Sequence, residues 1–195
     1  MIFIKQVNSR SYMKTTVFIL LLLLATAAGV HAQQGLYTAR KSQVDFLSDA
    51  PLELIKASSA KLQGLIDAEK RTFAFSISSE SFKGFNSPLQ QEHFYEDYLE
   101  TKAFPTSKFE GKIIEQIDFT IDGNYTIRAK GKLNIHGIEQ ERIIKVQLRI
   151  AKGVINADAV FTVLLVDHNI TIPKVVFQKI AEEIKVAVKA EFVKK

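Results

Sequence analysis

The most regular feature of this chain is an alternation of apolar and polar residues with a period of two. In residues 125–135 the odd positions are apolar or glycine and the even positions are polar, and the pattern resumes over residues 144–150 after a turn-like segment at 136–140. Each run predicts a strand with one buried and one solvated face. Together the two runs predict an antiparallel hairpin.

Similar alternating runs recur along most of the chain. They cover residues 43–48, 61–67, 72–78, 108–119, 154–166 and 183–192, with a short strand near 36–39. The pattern therefore predicts about eight strands joined mostly by short connections, which favours an antiparallel meander. Eight such strands usually close into a barrel or pack as a sandwich, and the alternation by itself leaves both architectures open.

Two segments interrupt the alternation and predict short helices. Residues 87–99 begin with Ser87 and Pro88, the residue types preferred at the N-cap and at the first helical position. Residues 173–180 predict a single helical turn before the last strand. The first segment would be a long connection between strands, of the kind that covers the open end of a barrel.

The first 32 residues have the order of a cleavable secretory signal peptide. Lys5, Arg10 and Lys14 precede an apolar run at 17–28, and Val30 and Ala32 occupy the positions that a signal peptidase reads. The apolar run is short for a bilayer span, which takes about 20 residues. We therefore expect cleavage after Ala32, one domain at residues 33–195, no permanent membrane anchor, and export to the periplasm or the medium.

The net charge and the cysteine content exclude several kinds of binding partner and of covalent cross-link. The leader holds three basic and no acidic residues, so the formal net charge falls from +5 for the whole chain to +2 for residues 33–195. Because charges of both signs are interspersed, the sequence gives no reason to expect nucleic acid or an anionic membrane as partner. The chain has no cysteine, which excludes a disulfide framework and a lipid-modified cysteine.

Candidate catalytic and metal-binding chemistry is sparse. The sequence has no Gly-x-Ser-x-Gly elbow, no glycine-rich phosphate loop and no His-Glu-x-x-His pair, so we predict no catalytic residues and no cofactor. His93, with Asp97 four residues later, is the local candidate for a metal site, but a second histidine would have to come from a distant loop. We expect His93 and His136 to hydrogen-bond loop backbone instead of a metal.

Two parts of the sequence resemble motifs of the YceI-like family. Residues 93–100 (HFYEDYLE) and 104–111 (FPTSKFEG) resemble the family's His and acid-plus-Leu run, which precedes an aromatic-Pro step and a Phe-containing strand. Residues 131–138 (GKLNIHGI) resemble its hairpin with a His-Gly turn. The resemblance implies an all-β, eight-stranded, antiparallel, lipocalin-like barrel with one or two short helices in its connections. It also implies an exported binding protein whose apolar interior holds a polyisoprenoid or a similar lipid.

The candidate ligand contacts are apolar and aromatic residues on the inward face of the strands and in the helical connection. A barrel of eight strands can be filled by its own side chains or can hold one ligand, and the resemblance favours the ligand. The predicted wall residues are Phe46, Phe73, Phe75, Phe109, Ile113, Tyr125, Ile127, Val146, Leu148, Val186 and Val188. The predicted lid or rim residues are Phe94, Tyr95, Tyr98, Leu99 and Phe104.

Three functions are open at this point. The first is a non-enzymatic carrier that buries the tail of an amphiphile for transport, storage or sequestration. The second is a filled barrel that acts through its surface or lid in stress response or envelope maintenance, and the third, with least support, is an enzyme that uses His93. An internal cavity favours the first and a solid interior the second. Exposed edge strands would be one route to a homodimer, although closure of the barrel would remove most of them.

Overall fold

Nine β-strands form one antiparallel sheet in residues 35–195, the part of the chain that the computed structural model describes. The strands are β1 (Leu36–Asp49), β2 (Leu54–Ser59), β3 (Gln63–Asp67), β4 (Thr72–Ser78), β5 (Thr106–Ile113), β6 (Gly123–Ile135), β7 (Ile138–Ala151), β8 (Val154–Leu164) and β9 (Glu183–Lys194). The predicted signal peptide at residues 1–32 lies outside the described residues and stays a prediction.

Strand β1 closes the sheet into a barrel because both of its edges are paired. One edge pairs with β9, and the other pairs with β3 and then with β2. Strands β2 and β3 keep the same register along β1, with Ser59 opposite Val44 and Ile66 opposite Tyr37. They are therefore two parts of one interrupted strand, and the predicted eight-stranded antiparallel barrel is confirmed.

Several strand boundaries differ from those predicted. The predicted strands at 36–39 and 43–48 are one strand, β1, and β2 was not predicted at all. The buried face of β2 carries Ile55, Ala57 and Ser59, and one large apolar residue among three gives little apolar signal. The predicted strand at 108–119 ends at Ile113. The hydrophobic residues that follow pack in a loop, where alternation no longer reports pairing.

The turn between β6 and β7 is shorter than predicted. His136 and Gly137 both have positive φ, 52° and 73°, and Ile135 pairs with Ile138 across them. A two-residue turn with positive φ at both positions is type I′, whose twist matches that of the flanking strands. Strand β7 therefore begins at Ile138 instead of near residue 144.

A β-bulge at Arg40 reverses the inward face of β1. The register against β9 shifts between Ala39 and Lys41. Tyr37 is buried before the bulge, and Val44 and Ser48 are buried after it. One extra residue moves every later side chain to the opposite face, so the even positions of β1 face the interior only beyond Arg40.

The predicted helix begins where its start signals place it. Ser87 is the N-cap, its hydroxyl accepting a hydrogen bond from the Gln90 amide at 3.1 Å, and Pro88 is the first helical residue. Helix α1 (Pro88–His93) continues as a π-helical turn over Phe94–Tyr98. A 3₁₀ turn at Lys174–Val176 confirms the helical turn predicted at 173–180. None of the helices within residues 35–195 is long and apolar enough to cross a bilayer.

One end of the barrel interior is filled with side chains. Tyr37, Phe119, Ile150 and Ile155 belong to one cluster of buried residues there, and Ile155 is fully buried. A second cluster, which includes Val44 and Phe82, lies toward the other end. The first cluster therefore forms a solid core at one end of the barrel.

Candidate functional site

A cavity of about 530 Å³ occupies the barrel interior between the filled end and the helical connection. Its deep part is lined by Phe73, Phe109 and Phe192, whereas Ile150 and Ile155 of the filled end do not line it. Sites for small molecules are typically about 300–1,000 Å³. The interior is therefore large enough for one ligand, and it is closed at one end.

The cavity brings together most of the predicted wall and lid residues. Those that line it are Phe46, Phe73, Phe75, Phe94, Tyr98, Leu99, Phe109, Ile113, Ile127, Val146, Leu148, Val186 and Val188. Their common position follows from the strand alternation, because the apolar face of each strand is the inward face. Contact of these residues with a ligand stays a prediction.

Three of the predicted site residues, Tyr95, Phe104 and Tyr125, do not line the cavity. Tyr125 has the inward parity of β6 but packs against the filled end, and its hydroxyl donates to the Ile121 carbonyl at 3.0 Å. Phe104 packs on the β6–β7 turn, with its ring centroid 4.7 Å from that of His136. Alternation identifies the face of a side chain but not its depth along the barrel, which is why the sequence did not show that Tyr125 lies beyond the cavity.

Stacked phenylalanines form the deep wall of the cavity. The Phe73 and Phe75 rings are stacked at 5.4 Å, and Phe109 lies 4.8 Å from Phe73. Gly64 faces Phe75 across the β3–β4 pair, and a Cβ atom at that position would overlap the Phe75 ring. The glycine therefore provides the space in which this ring lies.

Four phenylalanines close the other end, which we call the mouth. Phe94 lies at their centre, with ring centroids 5.2 Å from Phe46, 5.0 Å from Phe85 and 6.1 Å from Phe82. Two of the four come from the segment after β4, one from the π-helical turn and one from β1. We call residues 82–99 the lid, because this segment supplies three of the rings that cover the cavity.

Hydrogen bonds within the lid and from the lid to the barrel hold it in place. The Tyr95 hydroxyl donates to the Phe82 carbonyl at 2.8 Å, which ties the π-helical turn to the first residue of the lid. The Gln90 side chain donates to the Glu53 carboxylate at 2.9 Å. Asn86 donates to a backbone carbonyl of β2, also at 2.9 Å. The lid is thus fixed at several points around its hydrophobic contact.

Polar side chains line the cavity near its mouth. They are Glu53, Ser87, Gln90, His93 and Lys179. His93 was expected to bond loop backbone, but its Nδ1 lies 2.5 Å from the Asp97 carboxylate, one helical turn later. Burial, together with the Asp97 charge, raises the pKa of Tyr98. The site is therefore apolar in depth and polar where it meets the solvent.

The remaining histidines fix the β6–β7 turn. His136 donates from Nδ1 to the His168 carbonyl at 3.0 Å, which confirms its predicted bond to loop backbone. His168 is buried and donates from Nδ1 to the Ile138 carbonyl at 3.1 Å. Burial lowers the pKa of His168. Within residues 35–195 no group of three or more His, Cys, Asp and Glu side chains could hold a metal ion.

Some lining residues were missed from the sequence. The inward face of β8 contributes Ala157, Ala159, Phe161 and Val163, and the alternation could have identified these. The connection between β8 and β9 contributes Leu165, Ile170, Val176 and Ile180. That connection has no alternating pattern, so no local signal marks its residues as part of the mouth.

A protein-family model and solved structures match this chain. The family model described as YceI-like domain matches residues 38–192. A polyisoprenoid binding domain from Saccharophagus degradans, implicated in plant cell wall breakdown, superposes with a TM-score of 0.66 at 11% identity, covering 82% of this chain and 98% of that chain. BcnA from Burkholderia cenocepacia superposes with a TM-score of 0.63 at 17% identity, covering 77% of this chain and 95% of that chain.

A YCEI protein from Campylobacter jejuni gives a TM-score of 0.54 at 14% identity, covering 69% of this chain and 82% of that chain. At such identities the structural matches establish a shared fold. A comparison with curated protein sequences found no significant match.

Proposed function

Because this chain belongs to the YceI-like family, we propose that it is a non-enzymatic protein that binds one long apolar amphiphile inside its barrel. The observation that carries the proposal is the apolar cavity of about 530 Å³, filled at one end and polar at its mouth. The class of ligand is a polyisoprenoid or a similar lipid tail. The polyisoprenoid binding domain of Saccharophagus degradans, which shares the fold, supports that class.

Burial of the tail provides the affinity. Each methylene removed from water contributes about 0.8 kcal/mol, so a tail of about a dozen carbons contributes on the order of 10 kcal/mol. That gain offsets much of the loss of translational and conformational freedom on binding. The polar head of the ligand would lie at the mouth, where Ser87, Gln90, His93 and Lys179 are exposed to it.

The cavity also distinguishes this function from that of a filled barrel. A filled barrel acting only through its surface would have no interior space of this size, so the cavity favours a binding protein. Export, which rests on the predicted signal peptide at residues 1–32, would bring the binding domain to the cell envelope or the medium, where lipids are available. We therefore propose transport, storage or sequestration of a lipid outside the cytoplasm.

Lipid extraction tests whether a ligand is bound. The full-length gene product, purified from its native host without detergent, should release an apolar amphiphile in a stoichiometry near one, identified by mass spectrometry. A protein that is consistently empty, and that also takes up no added prenyl or fatty amphiphile, would contradict the proposal.

A cavity-filling variant tests whether the ligand lies inside the barrel. Ala159 lines the cavity, whereas Ala74, also in mid-strand, is exposed on the outer face. Ala159→Phe should reduce binding of a fluorescent fatty amphiphile about tenfold or more, since a ring in the cavity removes space for several methylenes. Ala74→Phe should leave binding unchanged. Equal effects of the two substitutions would place the ligand elsewhere.

A further inference from the structure

Basic side chains gather on the outer face of strands β5, β6 and β7. Lys112 lies directly opposite Lys130, and Arg128 lies directly opposite Lys145. All four residues are exposed. We call these four residues the basic face. Although residues 33–195 carry nearly balanced charge, the register of three consecutive strands brings like charges together here.

This arrangement is unfavourable for the fold itself. Like charges directly opposite each other on neighbouring strands destabilise a sheet. Arg128 has a partner in Glu115 at 2.7 Å, but Lys112, Lys130 and Lys145 have no acidic group within 4.0 Å among residues 35–195.

One of the acidic residues nearby pairs with another lysine. Glu139 lies 3.0 Å from Lys132, and the charges of Glu139, Glu110 and Glu141 together raise the pKa of Lys132. Within residues 35–195 the four residues of the basic face have one directly paired acid, Glu115, and the face therefore keeps an excess of positive charge.

Exposed aliphatic residues accompany these charges. Ile143, opposite Lys130, is 59% exposed, and Val160, on the neighbouring strand β8, is 60% exposed. Ile114, whose amide bonds the Arg128 carbonyl, is 37% exposed. The face thus combines basic and aliphatic side chains on a surface whose residues point away from the cavity.

We propose that the basic face docks the protein on an anionic lipid surface. Clustered lysine and arginine side chains are attracted to the negative potential of acidic headgroups, and aliphatic side chains can enter the boundary between headgroups and acyl chains. Nucleic acid fits less well, because its phosphates would use the charges but not the exposed aliphatic side chains beside them. An anionic bilayer is therefore the partner that uses both the charges and the exposed aliphatic groups.

The test is cosedimentation with lipid vesicles. The protein should bind vesicles that contain phosphatidylglycerol, bind vesicles of phosphatidylcholine alone much more weakly, and dissociate in high salt, which screens the attraction. The double variant Lys130→Glu/Lys145→Glu places acids opposite Lys112 and Arg128, so both like-charge pairs become ion pairs. We expect a fold of equal or greater stability and about tenfold or greater loss of vesicle binding.

A matched control shows whether vesicle binding depends on where the two lysines lie or only on the net charge of the protein. Lys56→Glu/Lys61→Glu changes two exposed lysines elsewhere and should retain most of the binding. Lys130→Gln/Lys145→Gln serves as a milder variant if the acidic one folds poorly.

Two results would overturn the proposal. One is equal loss of vesicle binding in the Lys56→Glu/Lys61→Glu control, and the other is binding to duplex DNA but not to vesicles. The double variant should still take up a soluble fatty amphiphile, so docking and cavity binding fail independently.

Discussion

At the scale of single residues, Gly64 is required by the ring that lies over it. A methyl group at Gly64 would overlap the Phe75 ring, which belongs to the deep wall of the cavity, and would also lie too close to the Ala74 carbonyl oxygen. Gly64→Ala should therefore lower the free energy of unfolding by about 1–3 kcal/mol, because the ring has to leave its packed position and the neighbouring strand has to shift. Urea denaturation followed by circular dichroism measures this change.

A second background shows whether the ring causes this loss. In the Phe75→Leu protein the side chain opposite Gly64 is smaller. Adding Gly64→Ala should therefore lower the free energy of unfolding by less than it does in the wild-type protein. Contacting residues normally show such coupling. If Gly64→Ala lowers the free energy of unfolding equally in both backgrounds, the strand backbone, and not the Phe75 ring, requires the glycine.

His168 makes stability depend on pH. Burial lowers its pKa from the ordinary value of 6.5, so the unfolded chain binds a proton more readily than the folded one. Above pH 6.5 His168 is neutral in both states and the folded protein keeps its full stability. As the pH falls from 6.5 toward the folded-state pKa, the unfolded chain gains a proton that the folded protein does not, and stability is lost. The free energy of unfolding should therefore be lower at about pH 5.5 than at about pH 6.5.

A substitution at His168 should remove this dependence. His168→Gln keeps a side-chain donor for the Ile138 carbonyl but has no group that titrates near neutrality. Thermal unfolding at the two pH values should then give a smaller difference than in the wild-type protein. A wild-type difference that persists in His168→Gln would assign the effect to other groups.

At the scale of elements, the lid covers the mouth of the cavity. Phe94 contacts three other rings at the mouth and comes from the π-helical turn. Phe94→Ala should open the mouth and speed release of a bound fluorescent amphiphile about tenfold, with a smaller effect on the barrel strands, which do not depend on this contact. Stopped-flow displacement measures the release rate.

The matched control is a phenylalanine at the mouth that does not line the cavity. Phe177, in the connection before β9, is 62% exposed. Phe177→Ala should leave the release rate close to that of the wild-type protein. If both variants accelerate release equally, the loss of aromatic surface at the mouth is responsible and not the closure of the lid over the cavity.

The elements themselves were predictable to different degrees. Alternation identified most strands, and Ser87 with Pro88 identified the start of the lid helix, because both signals depend only on neighbours in sequence. Strand β2 escaped prediction because Ala57 and Ser59 form part of its buried face. The bulge at Arg40 escaped because it is defined by pairing with β9, a strand far away in the sequence.

At the scale of the whole molecule, the filled end sets a limit on ligand length. Affinity for saturated fatty amphiphiles should rise about fourfold per added methylene, as burial of about 0.8 kcal/mol per methylene requires. The increase should stop once the tail reaches the filled end near Ile150 and Ile155. Isothermal titration calorimetry with a series of chain lengths measures the affinity of each amphiphile. An affinity that does not depend on chain length would contradict burial of the tail inside the barrel.

The sequence by itself determined which side chains share a face and where the lid helix begins, since strand alternation and N-capping are local. Only the tertiary structure decided that the interior is a cavity with one filled end, that Tyr125 lies beyond it, and that Lys112 and Lys130 are adjacent. Those features depend on register between strands and on the volume that packed side chains leave free. A period of two specifies neither, because it is the same in every register that keeps the same face inward.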